Sequence, residues 1–140
     1  MKHNFKYFII TLFILTFEKS FSIDPLKLTD DYWFFESMTT ITKAKREKIS
    51  ILYQDNNNFE TLTFKNKGIL EYYIINDGIE HNGLAKWSLD KENLTIISDK
   101  DTTNSIIEIK GSFLTIITQD TKLRTNYTFT TIIKYQNKTN

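Results

Sequence analysis

The stretch Gly83-Leu84-Ala85-Lys86-Trp87-Ser88-Leu89-Asp90-Lys91-Glu92-Asn93-Leu94-Thr95-Ile96 holds two strands and the turn between them. In an extended chain successive side chains point to opposite faces. Ala85, Trp87 and Leu89 therefore share one side, and Lys86, Ser88 and Asp90 share the other. Such alternation marks a strand with one buried face. Asp90-Lys91-Glu92-Asn93 is a short polar loop that returns the chain into the next strand, near 93–98.

The same grammar extends in both directions. Strands are expected near 31–38, 48–54, 59–65, 68–76, 83–89, 93–98, 105–110, 113–118 and 125–135. In the last of these Tyr127, Phe129, Ile133 and Tyr135 alternate with Thr128, Thr130 and Lys134. Asn66-Lys67-Gly68, Asn76-Asp77-Gly78 and Lys110-Gly111-Ser112 place Gly or Asn where hairpins need positive φ. No gap of helical period long enough for a parallel crossover separates the strands, so an antiparallel up-and-down meander is the economical topology. Closing about eight such strands into a barrel removes the exposed edges of an open sheet. One long irregular connection, Thr39 to Glu47, is expected between the first two strands. Composition agrees with an all-β domain: one Pro and four Gly stand among abundant Ile, Thr, Phe and Tyr.

The N-terminus reads as a targeting segment. Lys2, His3 and Lys6 precede an apolar run from Tyr7 to Phe17, and Ser20 and Ser22 take the −3 and −1 places of a signal-peptidase site. Cleavage after Ser22 is expected, leaving a domain over 23–140 that is secreted or periplasmic. The apolar run is shorter than the roughly 20 residues a membrane span needs, so no span is expected once the signal is removed. The chain has no Cys, which excludes disulfides, a thiol nucleophile and a lipoprotein anchor. The 118 remaining residues carry 15 Lys and Arg against 16 Asp and Glu, and a net charge of −1 argues against a nucleic-acid partner.

From Leu28 to Tyr135 the chain resembles the small secreted lipocalin-like proteins of bacteria, members of the calycin group of β-barrels. The resemblance is carried by the aromatic opening Tyr32-Trp33-Phe34-Phe35, by Leu62-Thr63-Phe64 with Gly68 at the following turn, and by Gly83, Trp87, Leu89, Leu94 and Ile96. Ile109 and Leu114-Thr115-Ile116 follow as the next hairpin. Asp31 departs from the pattern, standing where lipocalins usually have Gly two residues before the opening Trp. An Arg near the last strand usually packs on that Trp, and Arg124 and Lys134 are the candidates here. The resemblance implies a barrel with one closed end and an interior that can hold a small molecule.

Inward residues that would line such an interior are Leu70, Tyr72, Ile74, Ala85, Trp87, Ile96, Tyr127 and Phe129. The expected function is binding of a small hydrophobic or amphipathic molecule, without cofactor, metal or enzymatic activity. A Trp facing into a small barrel serves more often as core plug than as binding surface, and this applies to Trp33 and Trp87. The alternative is a structural or protein-interaction module with a filled core, an inhibitor or a surface assembly component. It would use an outer patch of Ile69, Tyr73 and Ile75, which face outward if Leu70, Tyr72 and Ile74 face in.

Other residues read as structural. His81, beside Glu80, lacks a second His, a Cys or a Ser in a nucleophile setting, and is expected in a solvated loop. Asp30, Asp31, Asp99 and Asp101 match no calcium-loop spacing. The basic run Lys43-Ala44-Lys45-Arg46-Glu47-Lys48 reads as a solvated loop near the barrel mouth.

Overall fold

The computed structural model describes residues 22–29, 31–99, 101–122 and 127–138. Among these residues a short helix, α1 (Pro25–Thr29), precedes nine strands. They are β1 (Tyr32–Lys43), β2 (Glu47–Tyr53), β3 (Phe59–Lys65), β4 (Ile69–Asn76), β5 (Ile79–Asp90), β6 (Asn93–Ile97), β7 (Thr102–Lys110), β8 (Phe113–Lys122) and β9 (Tyr127–Asn137). Residues 1–21 of the signal segment, Asp30 and Arg124 lie outside the described residues, and with them one candidate partner of Trp33.

Every pairing is antiparallel, and β3 to β9 follow one another as a meander. Pairing of β1 with β9 over Trp33–Lys43 closes the barrel. The opposite edge of β1 is shared: Tyr32–Phe34 pair with β3, and Ser37–Lys43 pair with β2. Eight strands thus form the closed barrel, and β2 is an extra strand laid on the upper part of β1. A bulge makes this division. Between Phe35 and Ser37 the β1–β9 register shifts by one, and the freed Glu36 carbonyl accepts the Gln54 N–H at 3.0 Å.

The turns carry the backbone conformations their residues allow. Asp77 and Gly78, with φ of 50° and 77°, form the two-residue turn of the β4–β5 hairpin. Gly68 has φ 75°, and its carbonyl accepts the Trp87 N–H at 2.9 Å; a Cβ there would lie 2.9 Å from the Trp87 carbonyl oxygen. That close approach of two backbones requires glycine. Two local expectations change. Thr39–Lys43 is strand, not irregular connection, and the turn to β2 is confined to residues 44–46. His81 is likewise exposed but lies within β5, paired with Ile74, and not in a loop.

Cross-strand register stacks the interior in layers. Phe35, Tyr135, Leu114 and Ile109 form one row, and Met38, Ile133, Ile116 and Ile107 form the next above it. Above these the inward row becomes polar: Thr40, Thr131 and Thr118, continued by Ser105, whose Oγ lies 2.8 Å from Thr118 Oγ1. On the facing wall Phe64, Leu70 and Ala85 make a row under Leu62, Tyr72 and Gly83, and above them lie Glu60, Ile74 and His81. The chemistry of the interior therefore grades from apolar at one end to hydroxyl-rich at the other.

Candidate functional site

The lower end of the barrel is sealed. α1 inserts Leu28, fully buried, among Trp33, Phe64, Leu94 and Leu114, all at 1% exposure or less. Trp33 donates its Nε1–H to the Leu28 carbonyl at 3.1 Å, which ties the plug to the barrel. Trp87 lies beside it, edge-on to Phe64 at 5.4 Å between ring centres, and its Nε1–H is shared between the Lys65 and Ile69 carbonyls at 3.0 Å each. Both indoles thus satisfy their polar atom against backbone, as buried Trp must. They are floor, not wall.

Above this floor Tyr135, Ile107 and Ile116 continue the core, and a recess remains to one side of them. A cavity of about 210 Å³ opens between β1, β2, β3, β4 and β9, lined by Phe35, Met38, Leu52, Ile74 and Ile133, with Asn58 and Asn76 among its polar residues. Among its lining residues Glu60 is the one that ionises. Glu60 shares the inward face of β3 with the buried Leu62 and Phe64. Burial pushes its carboxyl above the usual carboxylate range, partly opposed by a hydrogen bond donated by the Tyr135 hydroxyl. Tyr135 is itself fully enclosed, and burial together with the neighbouring Glu60 carboxylate raises its hydroxyl well above the ordinary phenol value. The result is a carboxyl held in an apolar recess, with one phenol as its protein partner.

The eight residues that the sequence marks for the interior are distributed over these two zones. Leu70 and Ala85 are sealed in the core, and Tyr72, Trp87 and Ile96 pack half-buried against it. Tyr72 fills the space over Gly83, where an added Cβ would meet its hydroxyl at 2.6 Å. Ile74 lines the cavity. Tyr127 and Phe129 stack at 6.4 Å higher up, where Phe129 is 41% exposed. Phe35, Met38, Leu52, Asn58, Phe59, Glu60, Asn76 and Ile133 also line the cavity without having been marked as interior positions, and Ile75, expected in an outward patch, joins them at its rim. Glu60 had a legible signal, since it is the charged member of an alternating set whose other members are Leu62 and Phe64.

The outer face also has definite features. Ile69 is exposed, whereas Tyr73 packs edge-on against Phe59 at 6.3 Å and Tyr73 and Ile75 are half-covered beside the 54–56 segment. Lys134 pairs with Glu36 at 3.3 Å and lies over the Phe113 ring, so it does not meet Trp33. The basic run forms the β1–β2 hairpin tip, where Lys43 pairs with Glu47 at 3.5 Å. Among the described residues no group of three or more His, Asp or Glu could hold a metal ion, and no helix is long and apolar enough to cross a membrane.

Fold and site together define an antiparallel β-barrel with a plugged floor and a recess above it. No family model, curated protein or solved structure matches the chain.

Proposed function

We propose that the protein is a non-enzymatic binder of a small amphipathic molecule, held in the upper interior of a lipocalin-like barrel. The observation that supports this most is a recess of mixed lining, apolar at Phe35, Met38, Leu52, Ile74 and Ile133 and polar at Asn58, Glu60 and Asn76, left beside a core that Ile107 and Ile116 otherwise fill. A core built only for stability would fill that space, because unfilled apolar volume costs stability. A ligand with an apolar body and a polar end matches this lining, its body against Met38, Leu52 and Ile133 and its end toward Asn58, Glu60 and Asn76. At about 210 Å³ the recess suits a compact molecule or one end of a longer one. Export with cleavage after Ser22 belongs to the same reading, and the mass of the secreted chain is expected to correspond to a start at Ile23.

The test pairs ligands with a filled cavity. Small alcohols, amines, fatty acids and aromatic compounds are screened for a saturable rise in melting temperature, the signature of binding to the folded state. Ile133→Phe, which fills the recess, is expected to abolish that rise while leaving the protein folded. Equal shifts in the filled variant would place any binding elsewhere.

A second reading, a protein-interaction module, draws on one specific observation. Ile49, Ile51 and Tyr53 share the outward face of β2 at 54–66% exposure, on a strand paired along one edge only. Such a strand is a template for pairing with another chain. Ile69 lies on a different part of the surface and would serve the same reading.

A further inference from the structure

The recess has one feature that a site for a purely apolar guest would not need, a carboxyl set into its wall. We propose that Glu60 is the ligand-recognition group of the cavity and that it selects an amphipathic amine, whose ammonium it pairs while the apolar body lies against Met38, Leu52, Ile74 and Ile133. This inference rests on the reading of the upper barrel as a ligand site.

Two observations carry it. Phe35, Met38, Leu52, Ile74 and Ile133 line the recess with Glu60, and no Lys, Arg or His is among the described residues that line it. A carboxylate accepts about four hydrogen bonds, and the Tyr135 hydroxyl supplies one. An ammonium brings three donors and the missing opposite charge. A hydroxyl brings one donor and no charge, and a carboxylate guest adds repulsion, so amine, alcohol and acid rank in that order. The basic hairpin tip does not reverse this ranking. Lys48 and Lys43 lie four and five residues beyond Leu52 and Met38, about 14–17 Å along extended strands and past the screening length of about 8 Å.

Pairing with an ammonium favours the ionised carboxyl, so amine binding is expected to release a proton wherever Glu60 is protonated in the free protein. Tyr135 is the titratable group that faces Glu60 from β9. The elements packed around it contribute Phe35, Met38, Leu52 and Ile74, and His81 sits two strands away on the same row.

The experiment compares hexan-1-amine, hexan-1-ol and hexanoate by calorimetric titration of the wild type, Glu60→Gln and His81→Gln, in two buffers of different ionisation enthalpy near pH 6. The amine is expected to bind about tenfold or more tighter than the alcohol, with hexanoate weakest. Glu60→Gln is expected to erase the amine's advantage and leave the alcohol unchanged, and His81→Gln to preserve it. Amine and alcohol of equal affinity, hexanoate bound best, or an amine preference that survives Glu60→Gln would overturn the assignment while leaving the cavity reading in place. Saturable binding by none of the three would overturn both. If Glu60→Gln does not fold, proton release by the wild type at pH 4, below the ordinary carboxyl value, decides: release with the amine alone supports the role of Glu60, and its absence refutes it.

Discussion

Trp33 shows how one side chain joins two structural duties. Its ring fills the barrel floor and its N–H holds the carbonyl of Leu28, the residue that α1 inserts. Trp33→Phe keeps most of the apolar bulk but leaves that buried carbonyl without its donor, and urea denaturation is expected to register a loss of about 1–3 kcal/mol. Glu60 gives a prediction of different form. Its pKa is raised in the folded state, so the folded protein holds this proton more tightly than the unfolded chain. The stabilisation is complete below the unfolded value near 4.5 and is lost as pH rises through the raised folded value. Glu60→Gln is therefore expected to gain stability relative to wild type as pH is raised from 4 toward 7, measured as melting temperature across that range. A difference between the two proteins that is constant with pH would show that Glu60 is not held in an unfavourable medium.

At the scale of elements, alternation was legible wherever one face of a strand is apolar and the other charged. Ala85, Trp87 and Leu89 against Lys86, Ser88 and Asp90 is such a case, and the structure places Ala85 and Trp87 inward with Lys86 and Ser88 exposed. The signal failed where the interior itself is polar. Thr40 and Thr42 point inward beside Thr39 and Ile41, so the end of β1 has no apolar period to read and resembles a loop. The bulge at Glu36 was invisible for another reason, because it is defined by the register with β9, about a hundred residues away in sequence. β2 stands apart energetically, bonded along one edge and carrying exposed Ile49, Ile51 and Tyr53. Its amides are expected to exchange with solvent through local opening, faster than those of β8 and β9, each bonded along both edges. Hydrogen exchange followed residue by residue checks this, and equal protection would mean that β2 has a partner on its free edge.

For the whole molecule, the turn residues and the absence of crossovers pointed to an antiparallel barrel of about eight strands, and eight strands close it. What the sequence could not reveal is where the interior is full and where it is empty. That depends on which rows share a level across strands distant in sequence: Phe35 with Tyr135, Met38 with Ile133, Thr40 with Thr131. It depends also on α1 sealing one end. The eight interior positions chosen by alternation therefore span both core and cavity, and Ile74 alone among them lines the recess. The central claim is that this recess takes a small amphipathic guest, and methyl NMR of the protein titrated with hexan-1-ol tests it most directly. The methyl groups of Met38, Leu52, Ile74 and Ile133 are expected to shift together along one saturable curve, while those of Ile49 and Ile51 stay still. Absence of any saturable shift, or shifts confined to Ile49 and Ile51 on the outer face of β2, would contradict it.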